Sequence, residues 1–514
     1  MSRVFLKNKK TGTVYVYECK SFWDKEKKRP SSTRTCIGKL DPVTRELIPS
    51  RRSDNAAETM LNQEQTASVK SVGATHFLSR ICERLGLDKI LKNIFSEHWE
   101  LILSLAYFQT TDKKPLSKVE HWTEVHDHPY GRFIDHRRVS ELLPKLTEDK
   151  QLLFFRKWAK HCLKEDCLAY DITSISSYSE LNNMVRLGYN RDEELLPQIN
   201  LAMLFGEKSC LPIYFRSLPG SIKDVSTLKH FLQTIVFLKI KRPHVIMDKG
   251  FFSKDNVNGL LNNRLRFTVA VPFSSKFACE HVETVRATIR NHENFVKINN
   301  QNVFCQTSMT KWEGRRVYVH VYYNAHAAVE EYESFLTNLH HWKEELEQNM
   351  PVEAHQQYYD LYFFVKETPK RGRKVEYNQQ AIDAHKETKA GFLVLLSNTT
   401  KDPVSALQNY RNKDVVEKAF DNLKNSIDSK RLRVHQDESM KGRLFIQFFS
   451  LILISYILKI AREKDLLKLF GSVSEILDEL KLYSEVAIEG KRKKIHSEQT
   501  KKQNVILEAF GFTL

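Results

Sequence analysis

Two aspartates stand where a folded core ordinarily excludes charge. Asp171 follows Leu168, Ala169 and Tyr170 inside the apolar run CLAYDIT, and Asp248 closes the run HVIM ahead of a Lys249-Gly250 turn. A carboxylate at the centre or carboxyl end of a core strand is costly unless something pairs with it. Either aspartate alone also reads as a turn or capping residue; two of them on a basic chain favour a shared cation. Hard divalent cations such as Mg²⁺ take oxygen ligands, use one or two protein carboxylates and complete their shell with phosphate and water. A third acid lies on a helix-forming stretch: Tyr410, Lys413, Glu417 and Lys424 follow at steps of 3, 4 and 7, which places them on one face. Beside them runs an apolar stripe of Val416, Phe420, Leu423 and Ile427. A solvated charged face gives the same spacing, but it does not ordinarily carry the tyrosine.

The elements that must position these residues follow from the pattern. Residues 167–272 read as five strands (167–173, 198–206, 211–219, 244–251 and 266–272), with a helix before the fourth and another after it, which predicts a mixed α/β sheet. Residues 391–398 read as one more buried strand and 403–427 as a single long helix. Between them, 273–323 is strand-rich and polar and 326–349 is helical and heavily charged. Upstream, 69–163 shows apolar residues at three- and four-residue steps, the mark of helices, and 53–66 reads as a linker. The run Leu444–Ile460 is apolar over 17 residues, the lower limit for a bilayer span; its polar interruptions predict a buried core helix and no membrane partner.

The chain has 514 residues with 80 Lys/Arg against 63 Asp/Glu, a net charge of +17, and 41% hydrophobic residues. Such a composition excludes wholesale disorder and an acidic solvating chain, and it points to a polyanionic partner. Residues 1–52 carry 14 Lys/Arg against 5 Asp/Glu, about half of the excess. No signal peptide is read there, because Lys7, Lys9 and Lys10 follow the first residues where an apolar segment would be needed. The eight cysteines include no CxxC pair, which argues against a zinc ribbon and fits reduced thiols in a cytoplasmic compartment.

The helix face resembles the signature of the DDE transposases of bacterial insertion sequences, in particular the insertion-sequence-four superfamily and its sixteen-thirty-four-like group. That signature runs Tyr, two residues, Arg, three residues, Glu, six residues, Lys. Tyr410, Glu417 and Lys424 match it in register, and Lys413 stands at the arginine position, which keeps the charge and loses the bidentate fork. The resemblance extends to DITSISS from Asp171, GYNRDEELLPQINLAML from Gly188, LPGSIKDVSTL from Leu218, MDKGF from Met247, the N-terminal CIGKLDPVTRELIP, and the late RLRVH and GRLFIQFFSL.

The resemblance implies an RNase H-like core in which Asp171, Asp248 and Glu417 converge as catalytic, metal-holding residues for two Mg²⁺ ions, with Mn²⁺ able to replace them. It implies cleavage at transposon ends and strand transfer into a target. It casts Tyr410, Lys413 and Lys424 as phosphate contacts, and Trp312 as the aromatic candidate for stacking on a flipped base; a packing tryptophan reads the same in sequence. The basic candidates for further DNA contact are residues 1–52, the loop with Lys370, Arg371 and Arg373, and Lys491–Lys494. The expected partners are double-stranded DNA, both terminal inverted repeats and target, and a second copy of the chain in a synaptic homodimer. The expected setting is the bacterial cytoplasm, at the nucleoid.

The domains follow: a small basic β-rich module (1–52), an α-helical DNA-binding domain (67–163), the first part of the core (164–272), a β-rich insertion (273–385), the second part with the glutamate helix (386–465), and a helical and basic C-terminal region (466–514). Two readings remain beside the transposase, a related nuclease without strand transfer and an inactive transposase-derived DNA-binding protein.

Overall fold

The computed structural model describes the chain apart from residues 1, 10, 25–28, 43, 51–66, 164–166, 178, 180–181, 189–195, 223, 241–242, 299–300, 369–371, 422, 425–430, 433–435, 489–492 and 514. The chain divides into two compact units, one of Met1–Val69 with Glu485–His496 and one of Lys70–Ser484 with Ser497–Leu514. The C-terminal region expected at 466–514 is therefore shared between units, because Glu485–His496 carries strand residues that belong with the N-terminal ones.

In the first unit, strands β1 (Ser2–Lys7), β2 (Val14–Asp24), β3 (Arg29–Leu40) and β4 (Leu47–Pro49) form an antiparallel sheet in that order. Its core is slight. Val16 and Cys19 are buried, while Phe5, Phe22 and Trp23 are exposed. β1 pairs with β2 no further than Cys19, and β4 pairs with β3 only over Gly38–Leu40. Among the described residues, the ribbon of Lys20–Asp24 against Arg29–Thr33 consequently has a partner strand on neither side.

After strand β5 (Ala67–Ser71), the second unit continues with helices α1 (Gly73–Leu85), α2 (Leu87–Ile94), α3 (Trp99–Asp112), α4 (Val119–Val125), α5 (His136–Leu142) and α6 (Glu148–Cys162). They surround α15 (Asp437–Glu463), the helix containing Leu444–Ile460. That helix is long and apolar enough by length and composition to cross a membrane, and most of its apolar window is buried inside the protein. Phe445 at its centre meets Phe95, Phe154, Phe155 and Phe449. Gly442 is needed one turn earlier, since a Cβ there would lie 2.3 Å from the carbonyl oxygen of Leu143.

The main sheet is built on β6 (Cys167–Ser177), β7 (Gln198–Gly206), β8 (Pro212–Pro219), β9 (His244–Met247) and β10 (Arg266–Ala270), in the spatial order β10-β9-β6-β7-β8. β6, β9 and β10 run parallel, whereas β7 and β8 are antiparallel to their neighbours. Helix α7 (Asp224–Phe237) separates β8 from β9 and α8 (Lys254–Asn262) separates β9 from β10, as parallel neighbours require. Both faces are covered, so β7 is buried along its whole length and is apolar apart from Gln198 and Asn200.

After α9 (Lys276–Val285), strands β11 (Phe295–Ile298), β12 (Gln301–Trp312) and β13 (Arg315–Tyr323) extend the same sheet, because β16 (Phe392–Ser397) pairs with β10 on one side and β13 on the other. The segment expected as a β-rich insertion is only partly so. Its longest element is helix α10 (Ala325–Glu347), followed by α11 (Gln356–Tyr362), the hairpin β14 (Phe363–Thr368) and β15 (Gly372–Tyr377), and α12 (Gln379–Thr388). These enclose a small core of their own, in which Phe335, Leu339 and Trp342 fall at helical spacing and pack with Tyr359 and Tyr362. That spacing outweighs the polar composition between them.

Candidate active site

Asp171 and Asp248 are brought side by side by strand register. β6 and β9 run parallel with Tyr170 opposite Met247, so the next residue of each chain, Asp171 and Asp248, follows at the same level and on the same face. Asp248, just past the carboxyl end of β9, and Asp171, midway along β6, thus stand together, beside the strand end at which open α/β sheets bind ligands.

The third acid comes from a broken helix. The single helix expected over 403–427 is two, α13 (Pro403–Arg411) and α14 (Asp414–Asp421), separated at Asn412–Lys413. Asp402 caps α13, its side chain accepting from the backbone N–H of Ser405. At the break the N–H of Lys413 donates to the Tyr410 carbonyl and the Lys413 carbonyl accepts from Val416. The tight turns re-aim the chain and put Glu417 in the first turn of its own helix, where the helix dipole favours a carboxylate. Val416, Phe420 and Leu423 of the apolar stripe are buried beneath it; Ile427 lies outside the described residues.

Lys413 joins the parts. Its side chain is buried, with the ammonium 2.7 Å from Glu417 Oε1 and 3.7 Å from Asp248 Oδ2. Burial opposes the charge, yet the attraction of Asp171 and Asp248 and the hydrogen bond to Glu417 hold the Lys413 amine above its ordinary pKa. Tyr410 donates its hydroxyl to Asp248 Oδ1 at 2.7 Å. Its own pKa is pushed up by burial and by the Asp248 charge, which keeps it a donor. Burial pushes the Asp248 carboxyl up as well, but the Lys413 ammonium, the Tyr410 hydroxyl and the Lys249 backbone N–H together hold it below its usual range.

Of the ten residues expected at the site, the structure brings together Asp171, Asp248, Tyr410, Lys413 and Glu417. Lys424 is half-buried beyond the end of α14. Trp312 ends β12, where its indole N–H donates to Asn258 Oδ1 at 2.8 Å and its ring packs edge-on against Phe252 and Phe277. Arg373 is in the β14–β15 hairpin, bonded to the Asn349 side chain. Lys370 and Arg371 lie outside the described residues. Of the C-terminal basic run, Lys494 pairs with Glu485 at 2.6 Å.

A cleft of about 1540 Å³ opens beside the acids, lined on one wall by Asp248, Lys249, Arg411, Lys413 and Glu417. His326 and Lys389, from the segment between β10 and β16, line it as well. Sequence reasoning missed Lys249 and Arg411 as cleft residues. Each is the immediate neighbour of a residue it did select, Asp248 and Tyr410, and that adjacency was the available signal.

The donor chemistry suits a hard cation: carboxylate oxygens only, two of them side by side on neighbouring strands. Among the described residues, however, no three His, Cys, Asp or Glu side chains are grouped closely enough to hold one ion. Asp248 and Glu417 both contact the Lys413 ammonium.

An acid-lined cleft at the strand ends of a mixed α/β sheet defines the class of domain, and comparison with known families narrows it. Residues 163–453 match the family model described as transposase DDE domain. The chain belongs to that family. A solved structure that aligns with it is the piggyBac transposase synaptic complex with hairpin DNA, at 9% identity and a TM-score of 0.35, covering 79% of this chain and 68% of that one. That likeness adds nothing to the family assignment. No curated protein matches the chain.

Proposed function

We propose that this transposase cuts DNA at the ends of a mobile element and joins those ends to a target, with Asp171, Asp248 and Glu417 holding two divalent cations, Mg²⁺ or Mn²⁺. The observation that carries the reading is the shared contact of Asp248 and Glu417 with one buried cation, Lys413, with Asp171 beside Asp248 by strand register, inside the segment that matches the transposase domain. The strand order β10-β9-β6-β7-β8, with β6, β9 and β10 parallel, supports an RNase H-like core, and the signature from Tyr410 to Lys424 supports an insertion-sequence-four type of element.

When bound, such cations activate an attacking water or 3′-hydroxyl and stabilise the leaving oxygen of an in-line phosphoryl displacement. The chain's own residues prepare the cleft for this. Tyr410 orients the Asp248 carboxylate through Oδ1, and α14 presents Glu417 from its first turn. Lys413 offsets repulsion between the acids, and Lys249 and Arg411 give the cleft the positive charge that a phosphate backbone seeks. The exposed basic residues of β2 and β3 would add salt-dependent affinity without reading sequence. Cutting two ends together calls for a homodimer on double-stranded DNA, in the cytoplasm at the nucleoid.

The test is to incubate the protein with a labelled duplex ending in its terminal inverted repeat, with Mg²⁺ and a target plasmid. Cleavage at the repeat followed by joining is the expected result. Cleavage without joining would instead fit a nuclease, and no cleavage at all would fit an inactive DNA-binding derivative.

A further inference from the structure

Strand β2 loses β1 as a partner beyond Cys19, and β3 meets β4 only from Gly38. In the stretch that remains, Lys20–Asp24 pairs with Arg29–Thr33 and, among the described residues, with no other strand. Phe22 and Trp23 on this ribbon are 47% and 62% exposed. Phe22 stands opposite Ser31, and Trp23 opposite Pro30 in the last pair but one. Successive side chains point to opposite faces of a strand, so each face of the ribbon carries one aromatic. Each face also has an exposed cation further back: Lys20 on the side of Phe22 and Arg34, opposite Cys19, on the side of Trp23.

Two strands alone are marginal in water, and open strand edges beside large exposed apolar side chains mark a surface that binds something. The occupant has to reach both faces, since both bear an aromatic and a cation. A protein surface laid on the ribbon covers one. A groove of duplex DNA surrounds it, with base pairs as the floor and phosphates as two walls. The backbones of paired strands are about 4.7–4.9 Å apart, and a two-stranded ribbon is narrow enough for a groove about 12 Å wide. Entering end first, it turns Lys20 to one phosphate wall and Arg34 to the other, while Trp23 and Pro30 reach the floor. Pro30 offers a base edge no side-chain hydrogen bond and Trp23 a single donor, so this end is poorly equipped to read sequence. Large apolar side chains inserted between base steps unstack them and kink the duplex.

We propose that the β2–β3 ribbon is a DNA-bending arm: it enters a groove end first, Lys20 and Arg34 hold phosphates on either side, and Trp23, with Pro30 opposite, wedges between base pairs and kinks the helix axis. This activity goes beyond cutting and joining. It needs duplex DNA as the partner, and neither divalent cations nor the acids of the cleft.

The test uses full-length protein and a duplex of roughly 30 base pairs without a terminal repeat, a fluorophore at each end, in EDTA so that no cutting intervenes. At saturation the unaltered protein is expected to raise energy transfer as a bend of about 20–90° does. Trp23→Ala should still saturate the duplex but lose at least about half of that rise, and Trp23→Phe, which keeps an aromatic wedge, should retain most of it. Arg34→Ala should need more protein or less salt to saturate and then give the full bend. Saturation without a bend by the unaltered protein would overturn the proposal. So would an unchanged bend in Trp23→Ala, which would leave the ribbon's aromatics to a protein partner. Loss of all binding in Trp23→Ala, with circular dichroism unchanged, would make Trp23 an affinity contact and not a wedge. Each of these failures leaves the cutting chemistry standing, whereas a protein that binds no duplex at all would sink both.

Discussion

Strand β7 buries all nine of its residues, whereas β1 leaves five of six exposed. The two belong to sheets that handle charge in opposite ways. In the main sheet the charges at the site are paired at fixed positions: Asp248 with Tyr410 and Lys413, and the buried Lys413 with Asp248 and Glu417. In the N-terminal sheet Lys20, Arg29 and Arg34 stand in solvent beside an exposed Trp23. Buried charge has a defined position because desolvation makes misplacement costly. Exposed charge is free to follow a long polyanion. The sign of the chain's excess charge therefore says what it meets, and the buried exceptions to that excess say what it does there.

The sharpest break of this comparison is at the acids. Asp171→Asn or Asp248→Asn should lower Mg²⁺-dependent cleavage of a terminal-repeat duplex by about 10³-fold or more, equivalent to about 4 kcal/mol of barrier. Both variants should stay folded by circular dichroism. Loss of activity with loss of fold would make the aspartates structural.

Packing should differ between the regions almost as strongly. Phe445→Ala in α15 is expected to cost about 3–5 kcal/mol in denaturant unfolding, since Phe445 is fully buried among four other phenylalanines. Trp23→Ala, at a residue 62% exposed, should change stability by no more than about 0.5 kcal/mol.

Acid should weaken the main-sheet unit specifically. Burial depresses the pKa of His244 and His128 to about 4 from the ordinary 6.5. Both are neutral in the fold and take up a proton on unfolding, so their contribution is complete above pH 6.5 and declines as pH falls toward 4. The slope is about 1.4 kcal/mol per pH unit for each histidine. Asp248, whose pKa is depressed from 3.8, acts in a lower window: its stabilisation is present above that value and is lost as pH falls further. Melting temperatures between pH 7 and 3 should therefore fall from about 6.5 downward. His244→Asn, which cannot protonate, should flatten the upper part of that decline.

The smallest effects belong to the exposed ribbon. Arg29→Ala and Arg34→Ala should each reduce the salt dependence of duplex binding by about one unit of slope, with little change in melting temperature. A larger loss confined to one DNA sequence would show base reading there in place of backbone contact.

Much of the site was legible because chemistry and packing shared a period. The strands from β6 to β10 read as apolar runs because both faces are covered, and Asp171 and Asp248 stood out against them. The stripe at Val416, Phe420 and Leu423 disclosed the buried side of α14, so Glu417 followed. The break at Asn412–Lys413 left no sequence mark. No glycine or proline lies there, and it is accompanied by the pairing of Lys413 with Asp248 on a strand 165 residues earlier. For the same reason Lys413 read as a phosphate contact, while the structure gives its ammonium to the acids. Trp312 was ambiguous until Asn258 supplied a partner for its N–H. The charged surface of α10 disguised the small core beneath it.

The most direct test of the central claim is to replace Mg²⁺ with Fe²⁺ and map where the bound ion, with ascorbate and peroxide, cuts the protein's own backbone. If the acids hold the divalent cations, cleavage will cluster near residues 171, 248 and 417 and will be suppressed by excess Mg²⁺ and by Asp248→Asn. Cuts elsewhere, or cuts near those residues that persist in Asp248→Asn, would contradict it.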